Sequence, residues 1–138
     1  PNQHDEGLVY AFLCVGGEGP SLDSTVLIDS VHCSGDMIDL AKRLHHEEKA
    51  SVHMYAIEHR YYGKSIPNLT TTNVDLSTLS SMKPFHRSQH YQYLSSRQAL
   101  ADIASFISHQ IGEVLPANTK WVTFGGSYPG VLSGWARY

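Results

Sequence analysis

The apolar run Leu8-Val9-Tyr10-Ala11-Phe12-Leu13-Cys14-Val15, ended by Gly16-Gly17, is the feature that most restricts the fold. A strand with one wet face alternates polar and apolar residues; a run without alternation predicts a strand buried on both faces, as in a parallel sheet. Such a strand needs helices on both sides, and the remaining sequence supplies them. Met37, Ile38, Leu40, Ala41 and Leu44 recur at spacings of three and four between Asp36 and Lys49, which predicts an amphipathic helix opening near Ser34 or Asp36. Val52, Met54, Ala56 and Ile57 read as a second strand. Leu94, Ala99, Leu100, Ile103, Phe106, Ile107 and Ile111 predict a second helix, capped by Ser95 or Ser96. Trp121-Val122-Thr123-Phe124 is a third short strand, Gly125-Gly126-Ser127 a turn, and a small-residue helix runs from about Gly130. Residues 66 to 84 are rich in Ser, Thr, Asn and Pro and predict a long surface excursion. The order strand, helix, strand, loop, helix, strand, turn, helix is that of an α/β parallel sheet with flanking helices. Three strands fall short of the usual five or six. The chain is therefore expected to be one part of a larger domain.

Charge excludes several partners. Ten Lys plus Arg face thirteen Asp plus Glu, a net charge of −3, and the longest basic cluster is Lys42-Arg43. That is no footprint for a nucleic-acid backbone. No apolar stretch approaches the roughly 18 residues of a membrane span. Nine histidines raise the question of metal, with His86 and His90 four apart and His45-His46 ahead of Glu47-Glu48, but neither pair forms HExxH and no cysteine pair adds ligands. Neither a metal nor a cofactor is expected. Cys14 and Cys33 could form one bridge, and sequence alone does not say whether they meet.

The residues with chemical promise lie where strands end. Phe124-Gly125-Gly126-Ser127-Tyr128-Pro129-Gly130 leaves a strand and opens a helix, the place of a nucleophile elbow. There the turn forces a serine into strained backbone angles and lifts its hydroxyl off the sheet edge, above N–H groups that stabilise an oxyanion. Ser127 would attack, and the backbone N–H of Tyr128 would be one oxyanion donor. The strict pattern puts glycine two residues either side of the serine. Here Pro129 takes the second place and Gly130 follows, so a plain tight turn is the competing reading. Gly16-Gly17-Glu18-Gly19-Pro20 stands where such folds draw their second donor, from Gly17 or Glu18. Read as a phosphate loop it lacks a following Lys-Ser/Thr and the GxGxxG spacing.

Four stretches together resemble the successive signatures of the S28 serine peptidases: Gly16 to Pro20, Glu58-His59-Arg60-Tyr61-Tyr62-Gly63-Lys64-Ser65, Tyr93 to Asp102, and Gly125 to Gly130. That family includes lysosomal Pro-X carboxypeptidases, dipeptidyl peptidase II and thymus-specific serine protease-like proteins. The resemblance implies a partial α/β-hydrolase fold that ends just after the elbow. It also implies a Ser-Asp-His triad and exopeptidase action on peptides, in the best-known members beside proline. Residues 1–138 would be the N-terminal portion of the catalytic domain, with the helical insert and C-terminal part outside it. In the hydrolase order the triad acid and histidine follow the serine, and only eleven residues follow Ser127, none of them Asp or His. Both are thus expected beyond Tyr138. The order His59, Asp102, Ser127 would suit a chymotrypsin-like β-barrel, which this pattern is not. Glu58, His59, Arg60, Tyr61 and Tyr62 are expected near the active site, His59 and Arg60 organising the loop and Asp102 capping or pairing on its helix. Asn68-Leu69-Thr70 is an N-glycosylation sequon. With the resemblance it implies a lysosomal or secreted protein whose signal peptide is not in this chain. A truncated non-catalytic binding product and an esterase or lipase are the rival readings.

Overall fold

A computed structural model describes residues 7–66 and 91–137. The sequon at Asn68 and the His86/His90 pair lie outside these residues. Three strands, β1 (Val9–Val15), β2 (Ser51–Ile57) and β3 (Lys120–Phe124), form one parallel sheet in the order β2-β1-β3. Val9 to Val15 pair with Ser51 to Ile57, and Tyr10 to Cys14 with Lys120 to Phe124. Helix α1 (Ser34–Glu48) joins β1 to β2, α2 (Ser96–Glu113) precedes β3, and α3 (Tyr128–Trp135) follows it.

The central strand is buried on both faces, as its unbroken apolar run requires. Phe12 and Cys14 point to one side, against Cys33, Met37 and Ala41 of the α1 layer. Leu13 and Val15 point to the other, against Ala99 and Ile103 of α2 and Leu132 of α3. The two-residue period of a strand thus distributes one hydrophobic sequence between two cores. Aromatic rings extend the second core: Tyr55 stacks on Trp121 at 5.8 Å, and Phe106 meets Tyr55 edge-on at 5.5 Å.

Helix ends follow the local chemistry. Ser95, not Ser96, caps α2, its side chain accepting from the Gln98 N–H at 3.3 Å. Helix α1 starts at Ser34 and is closed after Glu48 by Lys49, with φ 54° and its N–H on the Leu44 carbonyl. Two features differ from expectation. A short 3-10 turn over Ser24–Leu27 lies in a segment with no readable period, nucleated by Asp23, which accepts from the Thr25 N–H at 2.8 Å. Helix α3 begins at Tyr128, two residues before Gly130, because Pro129 has no N–H to lose and a φ already set for a first helical turn.

The question left open by the two cysteines is answered by a Cys14–Cys33 disulfide, with Cα atoms 5.8 Å apart and both residues buried. It ties the end of β1 to the start of α1. Among the described residues no helix is long and apolar enough to cross a membrane. A bridge closing 19 residues restricts the unfolded chain by about 3 kcal/mol. The double variant Cys14→Ser/Cys33→Ser is expected to lose stability of about that size in equilibrium denaturation; an unchanged midpoint would show that the bridge contributes nothing.

Candidate active site

In a parallel sheet the loops that leave the carboxyl ends of the strands gather at one edge, where ligands bind. All three loops carrying sequence signatures leave from that edge: Gly16–Pro20 after β1, Glu58–Ser65 after β2 and Gly125–Ser127 after β3. The first and third of these frame a cleft of about 600 Å³ whose lining includes Gly17, Glu18, His32, Ser127 and Pro129.

Ser127 is exposed and has φ 56° and ψ −131°, a backbone region that residues with a side chain enter only when their surroundings force it. The surroundings here are two close approaches. A Cβ on Gly130 would sit 2.9 Å from the Gly125 carbonyl oxygen, and one on Gly125 would sit 2.6 Å from the Pro129 carbonyl. The glycine pair that lets the strand fold back on its helix is therefore 125 and 130, not 125 and 129. This explains how Pro129 is tolerated inside the motif. The Pro129 ring is in turn seated on Gly17, where any Cβ would collide with it, and Tyr128 Cδ1 lies 3.5 Å from that same position. The loop after β1 and the turn after β3 are thereby in direct contact.

Backbone N–H groups without acceptors among the described residues lie on both sides of this contact. The N–H groups of Gly16 and Gly19 are occupied by the carbonyls of Ile57 and Gly17, at 2.8 and 3.0 Å. Those of Gly17 and Glu18 have no acceptor among the described residues. At the start of α3, Pro129 has no N–H and Gly130 donates to Gly126, which leaves the N–H of Tyr128 unengaged at the helix N-terminus.

The loop after β2 is held by its first three residues. Glu58 accepts from the N–H of Leu22 and the hydroxyl of Ser21 through one oxygen, and from the N–H groups of Lys64 and Ser65 through the other, all at 2.9 to 3.1 Å. It thus clips its own turn to the chain beyond Pro20. Gly63, at φ 53°, passes over the carboxylate so closely that no side chain fits. Burial pushes the Glu58 carboxyl up, but the bonds from Leu22, Ser65, Lys64 and Ser21 outweigh this and hold it below the usual carboxylate range. Arg60 makes a bidentate pair with Asp102 of α2, Nε to Oδ2 at 2.7 Å and Nη2 to Oδ1 at 2.5 Å, and also donates to the Tyr93 carbonyl at 3.4 Å. Asp102 accordingly pairs rather than caps. It raises the Arg60 guanidinium further above its already high value, against the opposing effect of burial.

His59 is buried, with Nδ1 2.7 Å from the Arg60 carbonyl and Nε2 3.1 Å from the Tyr128 hydroxyl. His59 and Asp102 thus have partners other than Ser127, and the chymotrypsin-like arrangement is not formed. Tyr62 sets its ring edge-on to His59 at 5.3 Å, and Tyr61 lies against Tyr91 at 5.8 Å. None of Glu58 to Tyr62 lines the cleft; they support it.

Two residues have roles near the serine turn that the sequence does not indicate: His32 carries no signal, and Ser96 reads only as a candidate helix cap. His32 packs its ring on Gly126, carried there because the next residue, Cys33, is bonded to Cys14. Ser96 reaches Tyr128 at 3.2 Å. Among the described residues no group of three His, Cys, Asp or Glu side chains is placed to hold a metal ion.

A three-stranded parallel sheet with flanking helices, carrying a strained serine between strand and helix beside glycine-loop donors, is the architecture of a partial α/β peptidase domain. The profile of the serine carboxypeptidase S28 family matches residues 1–138, and the chain belongs to that family. It is 34% identical to the thymus-specific serine protease of Mus musculus over 138 residues, 99% of this chain and 22% of that protein. It is 36% identical to the lysosomal Pro-X carboxypeptidase of Homo sapiens over 106 residues, 75% of this chain and 18% of that protein. The figures for the prolyl carboxy peptidase like protein 5 of Caenorhabditis elegans are 39% over 106 residues, 75% and 17%. The chain spans about a fifth of the length of the curated relatives it matches. No solved structure matches it significantly.

A carboxylate held below its ordinary value stabilises the fold fully above the unfolded value and loses that contribution as pH falls through the folded one. Glu58→Gln brings an NH2 group against backbone N–H donors. It is expected to be less stable at neutral pH and to show a shallower loss of stability between about pH 5 and pH 3. Denaturation midpoints across that range check this; parallel pH curves would remove Glu58 from the clamp.

Proposed function

We propose that this chain is the N-terminal part of the catalytic domain of a serine-type exopeptidase that cleaves peptides beside proline. Ser127 Oγ attacks the scissile carbonyl carbon, the carbonyl oxygen becomes an oxyanion, and the amine leaves to give an acyl-enzyme that water hydrolyses. The oxyanion is received by the N–H of Tyr128 and that of Gly17 or Glu18. Each such donor contributes most in the transition state, where charge has moved onto the oxygen. The base that removes the Ser127 proton is a histidine oriented by an aspartate, both beyond Tyr138. Proline preference, and a lysosomal or secreted location with a glycan at Asn68, are supported by the Pro-X carboxypeptidase relatives and by the sequon.

The observation that carries this reading is the backbone of Ser127, φ 56° and ψ −131°, at the junction of β3 and α3. Strain there has a use only if the side chain must stand clear of the sheet. In the full-length protein, Ser127→Ala is expected to reduce turnover of a proline-containing peptide by at least about 1,000-fold. Residues 1–138 alone are expected to give no measurable turnover. Activity of the isolated chain that vanishes in Ser127→Ala would overturn the placement of aspartate and histidine outside it. A full-length enzyme that hydrolyses simple esters but no peptide would favour an esterase.

A further inference from the structure

The contacts beneath the elbow carry an inference that rests on Ser127 being the nucleophile. His59 is 6% exposed, so its ring nitrogens must find partners within the protein. The Arg60 carbonyl, 2.7 Å from Nδ1, can only accept, so Nδ1 carries a hydrogen. In the neutral ring Nε2 is then an acceptor, and the group that meets it at 3.1 Å is the Tyr128 hydroxyl. The same hydroxyl lies 3.2 Å from Ser96 Oγ, its second hydrogen-bond contact.

The residue held in this way is the one that follows Ser127. Its ring turns away from the cleft toward His59 and Ser96, while its neighbours Ser127 and Pro129 line the cleft and its own backbone N–H has no acceptor among the described residues. The phenol oxygen is gripped from the loop after β2 and from the first turn of α2. The bidentate Arg60–Asp102 pair fastens that loop to the same helix. We propose that His59 is a positioning residue: through the Tyr128 hydroxyl it fixes the peptide unit between Ser127 and Tyr128, aiming the N–H at the oxyanion and keeping Ser127 in its strained conformation. Neither His59 nor Ser96 lines the cleft, so this chain of bonds acts through the elbow. Loosening it weakens binding of the transition state and leaves ground-state binding unchanged.

The test uses the full-length protein with a proline-containing peptide, and the rate at which a fluorophosphonate labels Ser127. His59→Ala and Tyr128→Phe are each expected to lower kcat and the labelling rate by about 10- to 100-fold with KM within about threefold. Because both break one chain, the double variant should lose no more than the worse single. His59→Gln, whose amide reaches the Nε2 position, should recover most of the loss. Tyr128→Phe keeps the ring and its packing, and decides the matter if His59→Ala fails to fold. Unchanged kcat in Tyr128→Phe and His59→Gln, losses that multiply in the double variant, or a loss confined to KM would each overturn the proposal, provided Ser127→Ala is inactive. An active Ser127→Ala would overturn the assignment of the nucleophile itself, and this inference with it.

Discussion

Strand β1 has no face toward water, and most of the molecule is arranged to satisfy that condition. Its residues alternate between two cores on opposite faces of the sheet, Phe12 and Cys14 with α1, Leu13 and Val15 with α2 and α3. A strand so placed must pair on both edges to satisfy its backbone, and does so with β2 and β3. Parallel pairing in turn requires each connection to cross a whole layer, so every loop that leaves a carboxyl end emerges at the same edge. The glycine loop, the Glu58 loop and the serine turn are neighbours for that reason, although they are widely separated in the chain.

The chain departs from regular structure at single residues. Ser127 is the costliest, with a left-handed φ on a residue that has a side chain, a conformation worth about 1–3 kcal/mol of strain. It is over-determined by the approach of Gly125 to Gly130, by the seating of Pro129 on Gly17, and by the inward grip on Tyr128. Lys49 and Tyr61 also have positive φ. Lys49 ends a helix, and Tyr61 lies in the turn closed by Ser65, whose carbonyl accepts from the Tyr61 N–H at 2.8 Å.

Much of this was legible in the sequence, because local patterns are strong where burial is complete. The unbroken run in β1, the period of α2 with its serine cap, and the glycines around Ser127 each have one natural structural reading. The rest involves partners whose meeting is set by the whole fold. Nothing in the local sequence says that Arg60 meets Asp102, 42 residues away, or that Ser96 reaches Tyr128. The Cys14–Cys33 bond is similar: spacing permitted it, and only the return of the chain from β1 to α1 brings the atoms together. His32 carries no local signal, because its placement is inherited from that bond. Helix α3 starts two residues ahead of Gly130, where its small-residue run suggests a beginning, because the proline before Gly130 already lies in the first turn.

The fit of the Pro129 ring against Gly17 has a consequence for how such a chain can change over generations. The two positions share one volume, so neither can be altered freely. A side chain at 17 has room only after the ring at 129 has gone, and a smaller residue at 129 leaves a hollow between the two loops. The viable route passes through the loss of the ring first, and the intermediate on that route holds its serine turn less firmly than either end. A pocket wall and a strained turn are in this way inherited together, as one unit of variation.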